Sequence, residues 1–194
     1  LIHSEGVAYN AIDLKAADAR GIYVCNNAGA NACSVAEHTL LLMLSVLRRL
    51  CEGDQMVRCG RQIEAKQGFI LQGIRVLSSC KVGLIGFGAI AKETARLLHA
   101  FGAQVFYFSR TRAQSQTEQA FGAQYLALEH LLKTCNIISL HLPVTAQTTH
   151  MANAAFFAAM QKGSILINTA RGEIVDQQAL CQALESGHLA GAGL

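Results

Sequence analysis

One proline stands in 194 residues, no run of Lys or Arg occurs, and the net charge is only +3. Nothing in that balance points to a nucleic-acid partner. The longest strongly apolar stretch, residues 39–47, is too short to span a bilayer and is interrupted by Ser45. Its flanks, Glu37-His38 and Arg48-Arg49, suit a buried amphipathic helix, so no membrane partner is expected. No C-x-x-C pair and no Cys/His metal spacing is present. The cysteines are odd in number and scattered (Cys25, Cys33, Cys51, Cys59, Cys80, Cys135, Cys181). They read as buried thiols of a reducing, cytoplasmic compartment, with no metal site. A signal-peptide pattern, an internal repeat and low-complexity segments are all missing, and the first residue is Leu. Both ends read as cut, since Leu1-Ile2 resembles the inside of a strand and Ala190 to Leu194 a strand stopped in mid-run. What is present in quantity is apolar: 52% hydrophobic against 15% charged residues describes a globular chain with a large core.

The most informative stretch is Lys81-Val82-Gly83-Leu84-Ile85-Gly86-Phe87-Gly88-Ala89-Ile90-Ala91, followed by the periodic run Thr94 to Leu98. An apolar strand, a tight glycine turn and a helix N-terminus follow one another. Gly86 allows the turn, Gly88 lets the backbone approach a pyrophosphate, and Ala91 packs helix against strand. The helix start offers unpaired N–H groups and its positive dipole end to phosphates.

Upstream, residues 1–24 form a small strand–helix–strand unit, with a helix over Ile12 to Arg20 closed by Gly21. Ser34 and Glu37 have the spacing of a capping box for a helix reaching about Leu50. Residues 51–72, with Gly53, Gly60 and Gly68, read as an irregular surface connector. From Lys81 onward, strands at 81–86, 104–109, 136–141 and 164–168 alternate with helices at 89–100, 127–134, 154–160 and 176–186. The strands are apolar throughout, as in a sheet covered on both faces. The pattern predicts an α/β fold with a doubly wound parallel sheet.

Three strand ends carry chemistry. About twenty residues past the glycine turn, an Asp or Glu would bind the ribose 2′-hydroxyl of NAD; here Ser109-Arg110-Thr111-Arg112 stands instead. Two guanidinium groups and two hydroxyls suit a 2′-phosphate and favour NADP, with NAD the other possibility. A solvated basic turn without a ligand is the plainer explanation. His141 and Pro143 follow the third strand, where a doubly wound sheet binds its ligand, although Pro143 could simply end the strand. Ser164 to Glu173 places Arg171 at a strand end, where it could fork onto a carboxylate. It could equally pair with Glu173 or Asp176. The other histidines show no cluster, and no Ser/His/Asp or Cys/His arrangement can be argued from position.

These motifs together resemble the D-isomer-specific 2-hydroxyacid dehydrogenases, of the glyoxylate/hydroxypyruvate reductase or phosphoglycerate dehydrogenase kind. Gly6-Val7-Ala8-Tyr9-Asn10-Ala11-Ile12-Asp13 is similar to that family's G-V-G-Y-D-x-I-D loop. Asn31 to Thr39, Val82 to Ala91, His141 to Thr149 and Leu166 to Asp176 match further family motifs in the family's order. The resemblance implies that residues 1–24 end a small α/β substrate domain, and that 25–194 form most of a Rossmann-type NAD(P)-binding domain lacking its last strands. It implies a catalytic Arg171 holding a 2-oxo acid, with Val7 and Ala8 contacting the carboxylate through backbone N–H groups. It implies cofactor contacts at Gly86, Phe87, Gly88, Ala89, Ile90, Ser109, Arg110, Thr111, His141, Pro143, Thr148, Thr169, Ala170 and Arg171, and a homodimer. Ala8, Asn10 and Ala91 depart from the family's usual Gly, Asp and Gly. The family's nicotinamide-anchoring Asp would follow Leu194, and its catalytic Glu and acid/base His fall beyond these residues. General acid catalysis is worth about 10²–10⁴-fold, so these residues alone would be nearly inactive. The expected activity is hydride transfer between a nicotinamide cofactor and a small 2-oxo or 2-hydroxy acid. A non-catalytic dinucleotide sensor, or corepressor-like protein, is the alternative.

Overall fold

The computed structural model describes residues 1–7, 9 and 11–194. A small parallel pair comes first: β1 (Ile2–Ser4), α1 (Leu14–Asp18) and β2 (Val24–Asn26), with Ile2 in register with Val24. The Asp13 carboxylate accepts from the Ala16 N–H and starts α1. β2 therefore runs two residues past the expected end of this unit.

α2 (Ala32–Leu47) follows. The expected Ser34–Glu37 capping box is not formed. The helix begins three residues after Gly29 with Asn31 as its N-cap, and the Ser34 hydroxyl donates back to the Asn31 carbonyl. Starting a turn earlier places Ser34 inside the helix, where its hydroxyl bonds locally instead of capping.

The connector expected at 51–72 is a helical hairpin, α3 (Leu50–Arg58) and α4 (Gln62–Gln72). Only Gly60 acts as a breaker, at φ +74° between the two helices. Gly53 sits within α3 beside the Phe69 ring, where an added Cβ would make an ordinary contact at 3.4 Å. Arg58 pairs with Asp54 one turn back, and the Arg49 guanidinium lies 4.9 Å from the Phe69 ring centroid.

The remainder alternates: β3 (Lys81–Ile85), α5 (Ala89–Ala100), β4 (Gln104–Phe108), α6 (Ser115–Phe121), β5 (Ala123–Tyr125), α7 (Leu128–Thr134), β6 (Ile137–Leu140), α8 (Ala154–Ala159), β7 (Ser164–Asn168), α9 (Gln177–Glu185) and β8 (Leu189–Gly193). One six-stranded parallel sheet results, in the order β5-β4-β3-β6-β7-β8. The doubly wound expectation holds. α6 and β5 are additions, β5 being a three-residue strand at the sheet edge.

Two apolar layers cover the sheet. One joins α2 and α5 to its face through Met43, Leu84, Leu98, Tyr107 and Ile167. The other places Leu131, Phe157 and Leu180 over Ile138, Leu140 and Leu166. α2 lies close on the last strand because β8 is glycine-rich. A Cβ at Gly191 would meet Val46 at 2.7 Å, and one at Gly193 would meet Leu42 at 2.9 Å. Of the seven cysteines, Cys80 and Cys135 are buried and the other five are exposed, which corrects the expectation of buried thiols. Among the described residues no metal-binding cluster forms, and no helix is long and apolar enough to cross a membrane.

Candidate cofactor and substrate site

The chain leaves β3 for one side of the sheet and returns to the other side at β6. These two strands are neighbours, with Ile85 opposite Leu140, so a crevice opens at their carboxyl ends. The expected cofactor residues come together along this edge. Gly86 to Ile90 follow β3, Ser109 to Thr111 follow β4, His141 to Thr148 follow β6, and Thr169 to Arg171 follow β7.

The glycine turn is shaped by its neighbour. Gly86 has φ +96°, and a Cβ there would lie 2.3 Å from the His141 carbonyl oxygen. Gly88 faces open space, and no side chain caps α5 behind it. The first N–H groups of a helix have no partner within it, so a free cradle and unsatisfied donors meet at one point. These residues fit a pyrophosphate. Ala91 is fully buried, as the helix–strand contact requires. Phe87 stacks on Tyr107 with ring centroids 4.0 Å apart.

The loop after β6 is internally braced. The Thr148 hydroxyl donates to the Pro143 carbonyl at 2.7 Å and accepts from the Thr145 N–H at 2.7 Å. His141 is anchored by its own N–H on the Ile85 carbonyl, and its Nε2 lies 2.9 Å from the Ser139 hydroxyl. Burial pushes the His141 imidazole down to about 4. A native imidazole below its ordinary 6.5 binds fewer protons than the unfolded one between those two values. Its contribution to stability is complete above about pH 6.5 and is lost as pH falls toward 4. Going from pH 7 to pH 5 is expected to cost about 2 kcal/mol through this group. Urea unfolding of wild type and His141→Gln at both pH values measures it; an equal pH dependence in the two proteins would exclude His141 as the cause.

At the end of β7, Asn168 shapes the turn that presents Arg171. Its Oδ1 accepts from the Ala170 N–H at 3.0 Å and its Nδ2 donates to the Arg171 carbonyl at 2.9 Å. The Arg171 side chain pairs with neither expected carboxylate. Asp176 instead caps α9 through the Ala179 N–H, and Arg171 Nη1 donates to the Ala170 carbonyl. Arg171 lines a cavity of about 810 Å³ with Ser34, His38, Thr169, Cys181 and Leu194. The Thr39 hydroxyl, fully buried in α2, lies 2.8 Å from that of Thr169 and ties the long helix to the same turn. Asn168, Thr39 and His38 carry no site role in the sequence reading, although each stands inside a quoted motif.

One expectation is not met here. Arg112 cannot be counted with Arg110 as a second free cation. It is bound on two sides by Glu118, with Nε and Nη2 each 2.9 Å from a carboxylate oxygen. The described residues that line the Arg171 cavity all lie at or beyond Ser34. Val7 has its carbonyl on Asn26 Nδ2 at 2.7 Å, and Ala8 and Asn10 lie outside the described residues.

The sequence profile of the "D-isomer specific 2-hydroxyacid dehydrogenase, NAD binding domain" matches residues 40–194. A glyoxylate reductase of Thermococcus litoralis is 39% identical over all of this chain, and one of Korarchaeum cryptofilum is 36% identical. Among solved structures, the D-mandelate dehydrogenase of Rhodotorula graminis superposes with a TM-score of 0.94 at 34% identity over 99% of the chain. The D-lactate dehydrogenase of Aquifex aeolicus, solved with NAD and lactic acid, gives 0.88 at 34% identity over 100%. The chain spans 59% and 58% of the two reductases and 57% and 56% of the two dehydrogenases.

Proposed function

The chain belongs to the D-isomer-specific 2-hydroxyacid dehydrogenase family, and from that premise we propose that the whole protein reduces a small 2-oxo acid with NADPH. Residues 40–194 match the family's NAD-binding domain, so a nicotinamide dinucleotide is the cofactor class. When bound, that cofactor supplies the hydride. The choice of NADPH rests on Arg110, an exposed cation with no acid at the end of β4. A guanidinium there suits a 2′-phosphate, whereas an acid would repel it.

The observation that carries the enzyme reading is Arg171, held by the Asn168-braced turn beside an open cavity and unpaired with any carboxylate. Such a group forks onto a substrate carboxylate and polarises the adjoining carbonyl. Gly86 and Gly88 bring the backbone against the pyrophosphate. The braced 141–148 loop holds its shape beside it. A proton donor for the carbonyl oxygen is assigned to residues outside these 194, as are further residues that select the substrate. Glyoxylate and hydroxypyruvate are the first substrates to assay, since the two reductases described above carry the name glyoxylate reductase.

We read residues 1–24 as the end of the substrate domain and 25–194 as cofactor domain. A homodimer is supported by apolar residues exposed on α3 and α4, with Ile63 73%, Ile70 64% and Leu71 87% exposed. Five exposed, unpaired thiols support a cytoplasmic setting.

Fluorescence titration of the whole protein with NADPH and NADH tests the cofactor choice, with NADPH expected to bind at least tenfold tighter, about 1.4 kcal/mol. Equal or tighter NADH binding would remove Arg110 from cofactor selection. Sedimentation of the same preparation as a monomer would remove the dimer. Cofactor binding without turnover on either 2-oxo acid would turn the reading to a dinucleotide sensor.

A further inference from the structure

The loop between β4 and α6 is fixed by contacts that cofactor binding does not call on. Tyr107 is fully buried on β4. Its hydroxyl donates to Glu118 Oε1 at 2.7 Å and accepts from the Ala113 N–H at 2.9 Å. Glu118, one turn into α6, takes Arg112 on both oxygens, and the Arg112 guanidinium lies 5.6 Å from the Tyr125 ring centroid. The Arg112 and Tyr107 hydrogen bonds hold the Glu118 carboxyl down to about 2, so this pair stays charged at any working pH. Ser109 closes the other end of the loop, its hydroxyl donating to the Thr111 carbonyl at 2.6 Å. Between these anchors Arg110 is exposed, with no hydrogen bond or ion pair among the described residues.

We propose that Arg112 and Glu118 form a brace that presents Arg110 to the adenosine 2′-phosphate, and so set the preference for NADPH without touching the cofactor. This rests on the reading of NADPH as the cofactor. Two facts keep Arg112 from being a phosphate ligand itself. Its Nε and Nη2 are spent on a two-sided carboxylate contact, and the Glu118 charge cancels its own. A phosphate approaching Arg112 would have to displace a carboxylate already in place. Arg110 then supplies the net positive charge of the loop, and a fork onto phosphate needs a fixed guanidinium plane. The loop is short, and Arg112 and Ala113 tether its middle to Glu118 of α6 and to the buried Tyr107. Losing the Glu118 contact frees the backbone two residues from Arg110. NADH makes no demand on Arg110, so its binding does not draw on the brace.

A double-mutant cycle reads this directly. NADPH and NADH are titrated against wild type, Glu118→Gln, Arg110→Gln and the double variant of the whole protein. Glu118→Gln is expected to lower the NADPH-to-NADH affinity ratio about tenfold, a fraction of one charge-assisted contact. In the Arg110→Gln background the same substitution is expected to change the ratio no further. An unchanged NADH affinity throughout shows that the fold and the pyrophosphate cradle are intact. Should Glu118→Gln fail to fold, Arg112→Gln keeps the Tyr107–Glu118 bond and is expected to show at least the same loss, with Arg112→Lys recovering part of it. A ratio that rises on freeing Arg112 would overturn the brace, because Arg112 would then be a phosphate ligand held in reserve. A ratio that stays at the wild-type value, or falls again in the Arg110→Gln background, would overturn it as well. A wild-type ratio of one or below overturns the cofactor reading and the brace together. A wild-type preference for NADPH that survives Glu118→Gln overturns the brace alone.

Discussion

Arg171→Ala in the whole protein is expected to lower kcat/KM for a 2-oxo acid by about 10²–10³-fold, the usual cost of removing one preorganised donor from a developing oxyanion. Cofactor affinity is expected to fall much less, because the glycine cradle at Gly86 and Gly88 is untouched. The turn that carries Arg171 is shaped by Asn168, whose two side-chain bonds reach the Ala170 N–H and the Arg171 carbonyl, not the guanidinium. Truncating Arg171 therefore leaves that turn standing. Arg171→Lys keeps the charge but loses the planar fork, so it is expected to fall between wild type and Ala. Steady-state kinetics with glyoxylate and hydroxypyruvate measure both. Wild-type kcat/KM in Arg171→Ala would take this residue out of the chemistry.

The second large effect separates two glycines of one turn. Gly86→Val is expected to destabilise the protein by about 3 kcal/mol or more, from overpacking and a disfavoured left-handed backbone together. The added Cβ would sit 2.3 Å from the His141 carbonyl oxygen and 2.9 Å from its carbon, at φ +96°. That carbonyl belongs to a residue whose N–H is fixed on Ile85, so it cannot step aside cheaply. A Cβ at Gly88 would meet no atom within 4 Å, and Gly88→Val is expected to unfold like wild type. It is expected instead to lose dinucleotide affinity, because the side chain fills the space left for phosphate. Urea unfolding beside NADPH titration resolves the two. Loss of stability at Gly88, or its retention at Gly86, would reverse the assignment.

Much of the sheet could be read from the residues, and the reason is burial. Strands such as Ile137–Leu140 and Ser164–Asn168 are covered on both faces, so apolar character persists without alternation and stands out. The glycine turn was legible because strand, turn and helix follow in sequence. The helical hairpin at 50–72 was not. Gly53 and Gly68 look like breakers in the sequence, yet both lie inside helices, where a single glycine is tolerated at modest cost. Side-chain partnerships were the least legible part. Arg110 and Arg112 look alike in sequence, and only the return of α6 spends one of them on Glu118. Thr39 and Thr169 are 130 positions apart, so no local pattern could join their hydroxyls. Arg171 and Asp176 were plausible partners by spacing, but the unpaired N–H groups at the start of α9 claim the carboxylate first.

The glycines of β8 also bear on how the chain comes to be folded. The contact of α2 with α5 can form as soon as α5 has been synthesised. The side of α2 bearing Leu42 and Val46 has to wait for Gly191 and Gly193, which follow it much later in the chain. Until then that stripe is an apolar surface without a seat, the kind of exposure that draws chaperones and aggregation. α2 is thus committed only when β8 reaches it, and the order of synthesis leaves this helix half-docked while the sheet between them is built.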